Sequence, residues 1–177
     1  MSALTLGCHF AARPEQRDIG FVCQNGHRLP FSGKSFTHVI SRVSLNYMHQ
    51  RTAVAEMVRV LKPGGYFGCR FEALGHDLLL FRQATSLRRR LALLRDLALG
   101  LIHDGTGWQR PCGSRLTGGR AFATARRLGN MLQSLGCQVI NVQMVQRRGR
   151  VAGFACQMVI LARKVRDTAN DSRETTG

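Results

Sequence analysis

The sequence predicts an α/β fold with a partly parallel sheet, and three observations carry that expectation. Short apolar segments rich in β-branched and aromatic residues alternate with a stretch of three-and-four apolar spacing. Turn signals at Asn25-Gly26, Ser32-Gly33-Lys34 and Lys62-Pro63-Gly64-Gly65 fall where the periodicity changes. Near the carboxyl end, strict alternation of apolar and polar residues takes over, which marks a β-hairpin.

Each element follows in order. Ile19 to Cys23 reads as a short strand closed by the Asn25-Gly26 turn. Phe36 to Ser41 reads as a second strand, in which the Val39-Ile40 pair suits burial in a parallel sheet. From Arg51 to Leu61, Val54, Met57, Val58 and Leu61 share one helical face, and Lys62-Pro63-Gly64-Gly65 stops that helix. Tyr66 to Phe71 makes a third strand. His76 to Ile102 reads as one long basic helix with the stripe Leu80, Ala84, Leu87, Leu91, Leu94, Ala98 and Leu101, which the domain, a partner chain or a membrane surface could cover, packing on the domain as a lid being the expectation. Gly105 to Gly119 is a glycine-rich loop carrying Trp108. The stripe Ala125, Leu128, Leu132 and Leu135 marks a further helix ended by Gly136. Ile140, Val142 and Met144, then Phe154, Cys156, Met158 and Ile160 after the turn at Arg147 to Arg150, form the closing hairpin.

A chain of 177 residues suits a single core. The resulting domain scheme is a short segment 1–18, a folded domain 19–163 with a helical insertion 76–118, and a polar disordered tail 164–177. No run reaches the roughly 18 apolar residues of a spanning helix, and no basic stretch precedes an apolar one at the start, so a cytoplasmic location is expected. The six cysteines include no Cys-x-x-Cys pair, which argues for free thiols and against a metal site. The net charge is +16, and the stretch from Gly105 to Arg163 carries nine arginines and no acidic residue. Such a field attracts polyanions and anionic surfaces. A basic RNA-binding or scaffold module is therefore the alternative functional reading.

The segment Leu29 to Phe67 resembles the core of the class I S-adenosylmethionine-dependent methyltransferases, in the type 11-like branch. Its Leu29-Pro30-Phe31, and the run Glu56, Arg59, Val60, Leu61, Lys62, Pro63, Gly64 and Gly65, stand in that family's order. The resemblance implies a Rossmann-like methyltransferase fold ending in an antiparallel hairpin, S-adenosylmethionine as cofactor, and transfer of a methyl group to an unidentified small or macromolecular acceptor. It places Asn25, with Gly26 and His27 beside it, where the family has an acidic residue that binds the adenine amino group. Ser41 and Arg42 fall where the family's loop passes the methionine end. Asn46, Tyr47 and Trp108 are the substrate-facing candidates, and His49 and Glu72 the catalytic ones.

The sequence also departs from the pattern. The family's first strand, its glycine-rich loop, the next helix and the second strand with its ribose-binding acid belong before Ile19. Residues 1–18 hold one glycine, Gly7, so the fold is expected to be incomplete on its N-terminal side and the cofactor hold impaired. Thr37 stands where an aspartate is usual. The sheet edges this leaves need cover, from re-pairing or from a second copy of the chain.

Overall fold

The computed structural model describes residues 24–109, 123–145 and 149–165, together with Gly20 and Val22. Within it, β1 (Phe36–Arg42) leads through a 3-10 turn (Ser44–Tyr47) into helix α1 (Gln50–Arg59), then β2 (Leu61–Glu72). Two helices follow, α2 (Leu74–Gln83) and α3 (Leu87–Thr106), then α4 (Ala125–Ser134) and β3 (Cys137–Met144). A small ribbon, β4 (Arg150–Val151) and β5 (Phe154–Ala155), precedes the last strand β6 (Gln157–Lys164). Among the described residues the main sheet runs β1-β2-β6-β3, with β1 and β2 parallel and β6 antiparallel to both neighbours. The expected α/β class, the parallel pair and the closing hairpin are all present.

One face of this sheet carries the core. Phe67, Cys69 and Phe71 alternate along β2 and meet Ile160 and Ala162 of β6, Ala53, Val54 and Val58 of α1, and Leu128 and Leu132 of α4. The three-and-four spacing read from the sequence is the spacing that buries. Leu61 is buried as expected but opens β2, because α1 already ends at Arg59. Lys62 to Gly65 then bulge out between the Phe36–Leu61 and His38–Tyr66 pairs, with Gly64 at a φ of 78°. Gly65 has no room for a side chain, since a Cβ would lie 2.8 Å from the Thr37 carbonyl oxygen.

Several expectations need correction. Ile40 was read as buried and is 75% exposed, because α1 and α4 cover only the opposite face of the sheet among the described residues. Ile140 is exposed as the extra residue of a β3 bulge between the Val139–Ala162 and Asn141–Leu161 pairs, and Val142, opposite Ile160 on the core side of this edge strand, is exposed as well. The single helix 76–102 is two helices. Ala84 leaves the helical region, and Ser86 starts α3 by accepting a hydrogen bond from the Arg89 N–H at 3.3 Å. The three-residue break keeps the apolar stripe in phase, so periodicity alone conceals it. The stripe is not a packed lid, since Leu87, Leu91, Leu94 and Leu101 are exposed. The hairpin carries the β4–β5 ribbon at its tip, which removes Phe154 from the closing strand. The tail does not begin at Lys164. That residue ends β6, is buried, and its Nζ donates to the carbonyls of Val58 and Leu61 at 3.1 and 2.9 Å. Segment 1–18, most of the expected strand Ile19 to Cys23, loop residues 110–122, turn residues 146–148 and tail residues 166–177 lie outside the described residues. Gly20 and Val22 belong to no strand.

Candidate active site

Because β1 and β2 are parallel, their carboxyl ends, Arg42 and Glu72, open to the same side, the side on which open α/β sheets bind ligands. Past Arg42 the chain turns at Val43, whose φ is 64°. A β-branched residue takes that conformation only when its surroundings impose it. The Val43 N–H donates to the Arg70 carbonyl at 2.7 Å, and the Ser41 and Ser44 hydroxyls meet at 2.9 Å. Asn46 then ties the loop to the end of β2. Its Nδ2 donates to the Glu72 carbonyl at 2.8 Å and its Oδ1 accepts the Glu72 N–H at 3.0 Å.

The Glu72 carboxylate lies 3.3 Å from His76 Nε2, one turn later in α2, and both side chains are largely buried. Asp77 is buried beside them in sequence. Glu72 was a candidate from sequence; His76 was missed, although the spacing of four residues from a strand end into a helix start is a readable signal. A cavity of about 280 Å³ begins with the residues that follow Glu72 in the chain and is lined by Ala73, Leu74, Leu101, Asp104, Thr124 and Phe154, without the Glu72 or His76 side chains. A second cavity, of about 180 Å³, lies on the open sheet face between His38, Ile40, Arg42, Tyr66, Arg70 and Leu161.

A separate cluster forms where α1 begins. Asn25 Oδ1 accepts from the His27 main-chain N–H at 3.0 Å and from His27 Nδ1 at 2.7 Å, while His27 Nε2 accepts the His49 N–H at 2.8 Å. Those partners assign the neutral Nδ1-protonated tautomer to His27. Gly26 lies so close to Met48 that a Cβ would come within 2.7 Å of its methyl. The His49 ring is turned to Thr52 Oγ1 at 3.0 Å. The sequence-derived candidates thus fall into two groups. Ser41, Arg42, Asn46 and Glu72 converge at the strand ends, whereas Asn25, Gly26 and His49 gather around His27. Tyr47 and Trp108 are both exposed. Asn46, expected to face substrate, is fully buried and its amide is engaged by the Glu72 backbone.

The helical pair α2–α3 is joined to this cluster by polar contacts. Gln109 Oε1 accepts the Gln50 N–H at 2.8 Å, satisfying one of the open donors at the start of α1. His103 Nε2 lies 3.1 Å from Gln50 Oε1 and donates to it. Burial foremost, and the Arg127 charge after it, push the His103 pKa down, so the imidazole stays neutral. Cys69, the register partner of Ser41 on β2, is buried, and burial pushes its thiol up to about 12 against a smaller opposing effect of the Ser41 hydroxyl.

Residues 6–69 match the family described as "Methyltransferase domain". That match takes in about a third of the chain, which is therefore similar to this family there. Its curated relatives include the phthiotriol/phenolphthiotriol dimycocerosates methyltransferase of Mycobacterium tuberculosis, 46% identical over 50 residues, a match that covers 28% of this chain and 18% of that protein. A methyltransferase dependent on S-adenosylmethionine from Methanosarcina mazei has a similar fold, with a TM-score of 0.50 and 21% identity over 80% of this chain and 65% of that one. The cyclase SpnF matches with a TM-score of 0.53 and 17% identity over 90% of this chain and 61% of its own. The chain thus spans somewhat under two thirds of these solved chains, and its match about a fifth of the curated relatives. The Methanosarcina protein is described as dependent on S-adenosylmethionine. A shared fold alone does not carry an activity.

Proposed function

We propose that this methyltransferase domain transfers a methyl group from S-adenosylmethionine to an acceptor lodged beyond the carboxyl end of β2, and that its own described residues hold the cofactor weakly. The observation that carries the reading is how the groups at the strand ends are engaged. Asn25, aligned with the family's adenine-binding acid, gives both acceptor positions of its amide oxygen to His27. The Ser41 hydroxyl is engaged with Ser44. The described residues therefore fit this cofactor only in part.

A sulfonium supplies an already activated methyl, so the protein's task is alignment and exclusion of water. Here Asn46 and the Val43 turn fix the loop across the strand ends, and the largely apolar 280 Å³ cavity receives the acceptor. Asp104 lines that cavity and is the residue there able to take the proton that an acceptor oxygen or nitrogen sheds. Calorimetric titration of the 177-residue chain with S-adenosylhomocysteine tests the weak hold. The expected result is a dissociation constant well above the micromolar range. Micromolar binding would overturn it and make the chain a competent cofactor binder in its own right.

A further inference from the structure

Helix α3 turns an apolar stripe toward solvent. Leu87, Leu91, Leu94, Leu101 and Ile102 are each between 45% and 73% exposed, while its opposite side holds the buried Gly100 and His103. At about 100° per residue, the outward stripe from Leu101 through Leu87 to Ile102 spans about 100° of the helix. Arg90 stands about 20° beyond one rim, and Arg95 and Arg88 stand about 20° and 40° beyond the other. Arg95 is joined to Asp96 at 2.8 Å, on the side away from the stripe. The α3 helix has 20 residues, about 30 Å of length. Trp108, 52% exposed, follows its C-cap Gly107 directly.

We propose that α3 lies flat on an anionic lipid surface, its leucine stripe entering the acyl boundary and its arginine rims meeting lipid phosphates. Three features select that partner. A continuous apolar strip between two cationic rims matches an apolar layer beneath a layer of negative charge. The chain's net charge of +16 adds long-range attraction to the same surface. Pairing with a second copy through this stripe would set arginine rims against arginine rims. No described helix is long and apolar enough to cross a membrane, so this contact is interfacial. The Glu72 end of β2, joined to α2–α3 through the chain, would then sit near the bilayer surface.

Co-sedimentation with vesicles tests this, read in parallel by the emission of Trp108, the only tryptophan in the chain. The full chain should pellet with phosphatidylcholine vesicles that contain phosphatidylglycerol, with a blue shift of Trp108. It should not pellet with phosphatidylcholine alone, and rising salt should weaken binding. Replacing Leu91 and Leu94 together by Asp, and separately by Ser to leave the charge unchanged, should weaken vesicle binding at least tenfold. Both side chains point into solvent, so the thermal midpoint should hold. Failure to pellet with anionic vesicles would overturn the proposal. So would binding that survives both pairs of substitutions, a dimer that they abolish, or a preference for single-stranded RNA over the vesicles that they leave intact. None of these outcomes depends on cofactor binding, so the proposal and the methyl-transfer reading fail separately.

Discussion

At the level of single residues, the proposed function gives Asn25 the contact with the cofactor's adenine. An amide oxygen has two acceptor positions, and His27 fills both. A carboxylate at the same place keeps those two bonds and still offers its second oxygen. Asn25→Asp should therefore tighten S-adenosylhomocysteine binding roughly tenfold, the worth of one charge-assisted hydrogen bond. Calorimetry on the two proteins reads this, and equal affinities would show that Asn25 is remote from the cofactor. The Asn25-Gly26 turn was legible in the sequence, because the Asx turn is a local arrangement and Arg28 closes it at 3.0 Å. The saturation of Asn25 was not, since it depends on the His49 N–H, 22 residues beyond His27, fixing the His27 ring. Asn46 illustrates the same limit. A polar residue after a strand reads as a site residue, and only the register of β1 against β2 brings its amide onto the Glu72 backbone.

At the level of elements, the structure explains why Leu29-Pro30-Phe31 and Glu56-x-x-Arg59 occur together. Glu56 Oε2 accepts the Leu29 N–H at 3.0 Å, and the Arg59 guanidinium donates to the carbonyls of Leu29 and Phe31 at 3.1 and 3.0 Å. The two side chains also pair with each other at 2.9 Å. Helix α1 thus straps the approach to β1 against itself, and residues far apart in sequence form one clamp. The Arg59 side-chain hydrogen bond, ahead of the Leu29 N–H, holds the Glu56 carboxyl below its ordinary range. With the folded pKa below the unfolded one, the carboxylate stabilises the fold above the unfolded value, and that contribution is lost as pH falls through the folded value. Thermal midpoints measured from neutral into acid pH should decline less in Glu56→Gln than in the wild-type protein, from a lower starting value. Parallel curves would remove the clamp from the account. Alternation and helical spacing revealed where these elements lie. The clamp itself, like the break before Ser86, comes from contacts that periodicity does not encode.

For the whole molecule, the sheet order β1-β2-β6-β3 puts the only described parallel pair at one side and the hairpin at the other. The core sits on the α1–α4 face, and the opposite face keeps Ile40 and Tyr66 in solvent. The fold class was legible because burial on the covered face imposes the spacing of α1, β2 and α4. Exposure of the other face was not, because strand composition is apolar on both sides and only the placement of helices distinguishes them. The account turns on the carboxyl ends of β1 and β2 as the place where cofactor and acceptor meet. The most direct measurement of that claim is the amide NMR spectrum of the isotope-labelled chain titrated with S-adenosylhomocysteine to millimolar concentration. The account predicts shifts at Ser41, Arg42, Val43 and Glu72 that grow without saturating at micromolar ligand. Shifts confined to other parts of the chain, or none at these four amides at the highest concentration, would contradict it.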